Sequence, residues 1–291
     1  MTILVIGGTG TVGSKVVSGL AAKNLTVRCM TRVPDSLKNL PQGVEGVQAD
    51  MEKPATLKAA FKGVRKVFLI TPLSQNETLQ GIAAVQAAKI AEVEHIVYMS
   101  VPMPKGAEVI PHFRSKVPVE GEIKSSGIPF TILRPNNFFQ NDYWCRAAVM
   151  LYNTYPQPIG SIGLNRIDAR DIADAAINAL TQSGHENREY ELHGPDVLNG
   201  DAVAAVYSKY LNKQVSYGGD DLEAWSKQAQ HMMPEWMVRD LRIMYDYFQH
   251  NGFLASASAL AEQQKVIGHA PRTFDQFVAE ILPEWRALSQ Q

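Results

Sequence analysis

The glycines at positions 7, 10 and 13 are the residues whose type and spacing point most directly to chemistry. The chain opens with Ile3-Leu4-Val5-Ile6, turns through Gly7-Gly8-Thr9-Gly10-Thr11-Val12-Gly13, and continues with Val16, Val17 and Leu20 at helical spacing. A buried strand thus feeds a Gly-x-x-Gly-x-x-Gly turn and then a helix. Gly7 suits the tight turn, and Gly10 lets backbone N–H groups approach a pyrophosphate without a Cβ in the way. Gly13 lets the helix lie close on the sheet with its positive dipole end toward the anion. Thr9, Thr11 and Val12 complete the loop, and a dinucleotide is the ligand that this context predicts.

The next apolar run ends Cys29-Met30-Thr31-Arg32, where an NAD site would carry an acidic residue for the ribose 2′-hydroxyl. Thr31 offers a hydroxyl and Arg32 a planar cation suited to a 2′-phosphate, so NADP(H) is expected over NAD(H). The alternative for Arg32 is a solvated loop charge. Asp50, after the third run, can meet the adenine amino group or cap the helix that opens near Pro54. Thr71-Pro72-Leu73, past the fourth run, should line the crevice at the carboxyl edge of the sheet. Further on, Lys116 can stabilise developing negative charge or serve only as a ribose contact. His112, one helical turn earlier, can donate a proton or simply open a helix. Glu120, one turn later, is placed to pair with Lys116. The remaining histidines show no metal-ligand spacing, and no metal is expected.

These residues need a scaffold, and the first half of the chain supplies one. Short runs rich in β-branched residues (3–6, 25–30, 44–48, 64–70, 95–100 and 130–133) alternate with helical stretches at 11–23, 54–62, 77–92 and 112–125. The pattern predicts an α/β fold, a Rossmann-type doubly wound parallel sheet with right-handed crossovers. After Arg134-Pro135 the texture changes, predicting a nucleotide-binding domain over 1–135 and a smaller, mainly helical C-terminal domain over 136–291. The segment 166–180 reads as a short strand and a capped helix, with 160–182 returning to the first domain. Tyr190 to Leu192 reads as a further strand, and helices are expected from Pro234 to Phe248 and from Phe274 to Leu288. Aromatic and Met-rich pieces (Tyr143-Trp144, Trp225, Met232-Met233, Trp236-Met237, Met244-Tyr245) fit either an apolar acceptor pocket or core packing.

Composition narrows the class. The 291 residues are 45% hydrophobic, which rules out general disorder, and 28 Lys+Arg against 29 Asp+Glu leave a net charge of -1. No nucleic-acid or membrane partner is expected from that balance. The two cysteines, Cys29 and Cys145, make no disulfide framework. With no signal-type leader, lipidation motif or membrane-length apolar run, a soluble, cytoplasmic protein is expected.

The 3-6 glycine spacing resembles that of the extended and atypical short-chain dehydrogenases/reductases. Lys116 stands where that superfamily has the Lys of Tyr-x-x-x-Lys, but the Tyr position holds His112. Together with Val119, Glu120 and Ile123, the stretch Ser126-Gly-Ile-Pro-Phe-Thr-Ile-Leu-Arg-Pro135 and Phe138-Phe139-Gln140-Asn141, this resembles the NmrA-like family, relatives of isoflavone reductases. The resemblance implies that Lys116 contacts the nicotinamide ribose and that Phe138, Phe139, Gln140 and Asn141 lie near the nicotinamide. It also implies either an NADPH-dependent reductase of a quinone or similar apolar carbonyl acceptor, or a non-catalytic redox sensor acting through a protein partner.

Overall fold

The computed structural model describes residues 1–288. Strands β1 (Thr2–Ile6), β2 (Thr26–Thr31), β3 (Glu45–Gln48), β4 (Val64–Ile70), β5 (His95–Met99) and β6 (Phe130–Pro135) follow in order. Next come β7 (Thr154–Tyr155), β8 (Arg188–Leu192) and β9 (Ser216–Tyr217). Seven of them form one parallel sheet in the order β3-β2-β1-β4-β5-β6-β8, while β7 and β9 pair separately. The chain runs outward from β1 through β2 to β3, then crosses back over β1 to start β4. The switch between β1 and β4 opens a crevice at the carboxyl ends of the strands, where ligands of doubly wound folds bind.

Helices α1 (Gly13–Ala22), α2 (Pro54–Phe61), α3 (Glu77–Ile90), α4 (Pro111–Arg114) and α5 (Lys116–Ser125) belong to the first half. The second half adds α6 (Arg146–Tyr152), α7 (Ala169–Thr181), α8 (Gly200–Leu211) and α9 (Leu222–Ala229). After them come α10 (Glu235–Asn251), α11 (Ala257–Glu262), α12 (Gln264–Ile267) and α13 (Phe274–Leu288). The apolar run of β1 explains the layering: Ile3 and Val5 pack toward α1 and α7, whereas Leu4 and Ile6 pack toward α2 and α3. A strand covered on both faces must be apolar at every position, not at alternate ones. A third core joins α8, α10 and α13 to Val101, Ala107, Ile110 and Phe113 from the loop after β5, so the helical part grips the sheet through that loop.

Several expectations shift in detail. The helix read over 112–125 is broken at Ser115 into α4 and α5. The expected strand near Arg166 reduces to a single parallel bridge between Ile167 and Phe138. Asp168 then caps α7 by accepting from the Arg170 amide. Beyond residue 135, α7 packs on α1 and β8 pairs with β6. Helix α8 and the β7–β9 pair carried too little pattern to be read in advance. Among the described residues no helix is long and apolar enough to cross a membrane.

Candidate functional site

The glycine loop is held in shape by its own backbone. Gly7 has φ +79° and its carbonyl accepts from the Gly10 amide at 3.0 Å. A Cβ at Gly13 would fall 2.1 Å from the Gly7 oxygen, so the helix start and the strand end meet at a distance only glycine permits. Gly8 is equally constrained, because a Cβ there would lie 2.5 Å from Cys29 Sγ. Burial pushes that thiol up to about 11, which suits a packing role and not a reactive one. Gly10 differs: its Cβ would have one neighbour, at 3.4 Å, and otherwise face open space. Thr9, Gly10 and Thr11 are exposed while Val12 packs below. Among the described residues, neither the Thr11 nor the Val12 amide has an acceptor. Free amides at the start of a ten-residue helix, beside a glycine that leaves room, fit a pyrophosphate.

At the end of β2 the Arg32 side chain is exposed and makes no ion pair among the described residues, so it is free to meet a 2′-phosphate. Thr31 is turned inward: its hydroxyl lies 3.1 Å from Ser36 Oγ and accepts from the Val33 amide at 3.2 Å, shaping the turn that presents Arg32. Asp50 is half-buried and accepts from the Glu52 amide at 3.0 Å. It therefore braces the turn before α2, whose own N-cap is Lys53 without a side-chain bond.

The crevice wall after β4 carries the least anticipated feature. Thr71 is buried, Pro72 half-buried and Leu73 exposed. Thr71 Oγ1 donates to Glu77 Oε1 at 2.6 Å, and Ser115 Oγ donates to Glu77 Oε2 at 2.8 Å. Lys116 completes the cluster, pairing with Glu77 Oε1 and donating to Thr71 Oγ1 at 3.3 Å. Glu77 opens α3 at 1% exposure, so the lysine is fixed by a carboxylate sealed beneath it. The expected Lys116–Glu120 pair does not form. Glu120 instead takes Arg134 Nε and Nη2 at 2.9 and 2.6 Å, because Lys116 turns toward α3 and leaves Glu120 on the β6 side. Tyr98 is buried with its oxygen 3.5 Å from Thr71 Oγ1, and burial pushes its phenol far up, unsuited to giving up a proton.

His112, on α4, reaches across to α10, where Nδ1 pairs with Asp240. The segment after β6 is anchored more deeply. Phe138 is half-buried and Asn141 likewise, whereas Phe139 packs into the aromatic core against Phe274 at 5.2 Å. Gln140 ties down the start of α7, donating to Asp168 at 2.9 Å and accepting from the Ala169 amide at 2.8 Å. Behind them Arg166 and Asp142, both at 0% side-chain exposure, pair at 2.7 Å. Arg166 also donates to the Phe138 carbonyl at 2.8 Å and to Asn137 Oδ1 at 3.1 Å. Asp142 accepts from Gln157 and Tyr207 at 2.9 and 3.0 Å. Burial opposes the Arg166 charge, but Asp142 outweighs it and holds the guanidinium above its ordinary value. This buried network sets the backbone of 137–142. As for the Met-rich pieces, Met244 and Tyr245 pack in the core and Trp225 meets Tyr245 edge-on at 4.9 Å, while Trp144 and Met232 are exposed.

Residues 1–278 match the NmrA-like family. The chain belongs to it. The NAD(P)H azoreductase of Xenophilus azovorans is 34% identical over 289 residues, covering 94% of this chain and 96% of that one. A (4-alkanoyl-5-oxo-2,5-dihydrofuran-3-yl)methyl phosphate reductase of Streptomyces griseus is 31% identical, covering 96% and 97%. The structure of an Escherichia coli NADPH-dependent quinone oxidoreductase complexed with NADPH is 25% identical, with a TM-score of 0.85 and coverage of 96% and 99%. Two of these relatives are reductases, and the third is an oxidoreductase seen with NADPH.

Sequence reasoning missed Glu77, Asp240 and the Arg166–Asp142 pair. Glu77 carried one usable signal, an acidic residue a few positions beyond Thr71-Pro72-Leu73 at the crevice edge.

Proposed function

We propose that this NmrA-like chain binds NADPH across the carboxyl edge of the sheet and reduces a quinone or similar apolar acceptor. The observation that carries the reading is the convergence of three groups on that edge. They are the open glycine loop after β1, the exposed Arg32 after β2, and Lys116 held against Thr71 after β4. The end-to-end likeness to reductases supports it.

Bound there, the nicotinamide would supply a hydride. The chain's own residues do the rest. Amides of the loop bind the pyrophosphate, Arg32 selects the 2′-phosphate, and Lys116, oriented by Glu77, binds the nicotinamide ribose. Phe138, whose carbonyl Arg166 holds, and Asn141 border the space beside it. Orientation of donor against acceptor is the main contribution such a site makes. The Tyr of Tyr-x-x-x-Lys is replaced by His112, and a second reading, an NADP(H) sensor acting through a protein partner, rests on that replacement.

Binding and turnover separate the two. NADPH consumption across a panel of quinones and aldehydes should depend on the acceptor. Tight NADPH binding with no acceptor-stimulated oxidation would instead support the sensor.

A further inference from the structure

We propose that His112 and Asp240 form a proton-delivering dyad assembled between helices α4 and α10. His112 is the catalytic residue of the pair and Asp240 its positioning residue. The inference rests on the reductase reading above and adds a proton source to it.

The geometry has three parts. Asp240 is a carboxylate at 6% exposure, and His112 Nδ1 is its hydrogen-bond partner. A buried carboxylate bound to one ring nitrogen fixes the imidazole's orientation and tautomer and stabilises the imidazolium. The other nitrogen, Nε2, has no hydrogen-bond partner among the described residues and is not sealed from solvent. The Phe113 ring meets the imidazole edge-on with centroids 4.7 Å apart, closing one side. Among the described residues, Asp240 on α10 is the charged group that pairs with the ring; Arg114 on the same element is exposed, and Lys116 on α5 is already paired with Glu77.

The location fits the role. His112 lies four residues before Lys116, on the short helix that leads into α5. Asp240 comes from the helix that also clamps the loop after β5, through Tyr247 OH donating to the Lys105 carbonyl at 3.1 Å. The step balances simply. One hydride passes from NADPH to the quinone, and the Nε2–H proton of the imidazolium passes to a quinone oxygen. Hydroquinone and NADP⁺ form with neutral imidazole, which solvent then reprotonates.

The test uses the full chain with NADPH and a dimethoxy-substituted benzoquinone, reading kcat against pH together with the KM for NADPH. In the wild type kcat should fall on the alkaline side. His112→Gln should lower kcat at neutral pH on the order of 10–100-fold and abolish that alkaline limb. Asp240→Asn should lower kcat, because the imidazole loses the carboxylate that orients it, and Asp240→Glu should restore it, both with the KM for NADPH little changed. A contact that only braces the fold would lower Tm and leave the pH profile in place. Folded variants keeping the wild-type profile would overturn the dyad while leaving the reductase intact. Should a variant not fold, the wild type in D2O decides: a solvent isotope effect on kcat supports the dyad, and its absence overturns it. A wild type with no acceptor-dependent NADPH oxidation at any pH would overturn both readings.

Discussion

Glu77 and Lys116, 39 residues apart in sequence, meet as an ion pair at the crevice edge, with the carboxylate side chain 1% and the ammonium side chain 13% exposed. Both oxygens of Glu77 are occupied, by Lys116 and Thr71 on one side and Ser115 on the other. The lysine that the family resemblance marks as a ribose contact is therefore positioned before any ligand arrives. Breaking such a pair leaves a charge without compensation, which costs about 3–5 kcal/mol in buried settings. Glu77→Ala should lose about that much in urea unfolding and raise the KM for NADPH. Unchanged stability and KM would show that the pair holds nothing in place.

The two glycines at 10 and 13 should separate folding from binding. Gly13→Ala places a Cβ 2.1 Å from the Gly7 carbonyl, so the turn must open and Tm should fall. Gly10→Ala meets nothing closer than 3.4 Å, so Tm should hold while NADPH affinity drops, because the methyl group occupies the anion's approach. Calorimetry of both variants with and without NADPH checks this. A Gly10→Ala protein that binds NADPH as well as wild type would remove the loop from the site.

Arg32 should discriminate between the two nucleotides. A charge-assisted contact to a 2′-phosphate is worth about 1.5–3 kcal/mol, or roughly 10–150-fold in affinity. Arg32→Ala should weaken NADPH by that factor and leave NADH nearly unchanged. Equal weakening of both would contradict the assignment.

Acid should act on the fold through His95, which is 2% exposed. Burial, with Lys66 nearby, lowers its imidazole from 6.5 to about 4. Thr131 spends its hydroxyl hydrogen on the His185 carbonyl at 2.7 Å, so His95 Nε2 donates to Thr131 at 3.0 Å and Nδ1 is left bare. A second proton would go onto Nδ1, which has no partner among the described residues. The unfolded chain takes that proton near pH 6.5 and the fold only near pH 4, so this contribution is complete above about 6.5 and lost as pH falls toward about 4. Between pH of about 7.5 and 4.5 it amounts to about 2–3 kcal/mol. His95→Gln should lose correspondingly less stability than wild type over that interval. Equal losses would assign the acid sensitivity elsewhere.

What the sequence shows and hides follows from range. The strand, glycine loop and α1 are local: a run of apolar residues, a turn that needs glycine, and a 3.6-residue period lie within some twenty positions. The same holds for Phe274–Leu288, whose apolar face at 274, 277, 278, 281, 282 and 285 is buried as its periodicity implies. Contacts made by the fold itself were hidden. Glu77 looks like any acidic residue in a helix's first turn, where the dipole favours it. Asp240 and His112 are separated by 128 residues, and no spacing rule joins them. Glu120 shows the opposite failure, since the i,i+4 rule offered it Lys116 while the sheet supplied Arg134 and Glu77 claimed the lysine. Arg166 read as a charged residue at a strand start, yet it is wholly buried because Asp142, Asn137 and the Phe138 carbonyl meet its donors.

The central claim is that this crevice holds NADPH and passes its hydride to an apolar acceptor. Anaerobic single-turnover mixing of the protein–NADPH complex with a benzoquinone tests it most directly, by following the nicotinamide absorbance. The account predicts a decay faster than the protein-free reaction, dependent on quinone concentration, and slowed about tenfold or more in Lys116→Ala. A complex that binds NADPH tightly, yet whose absorbance decays no faster than the protein-free control with every acceptor, would contradict it.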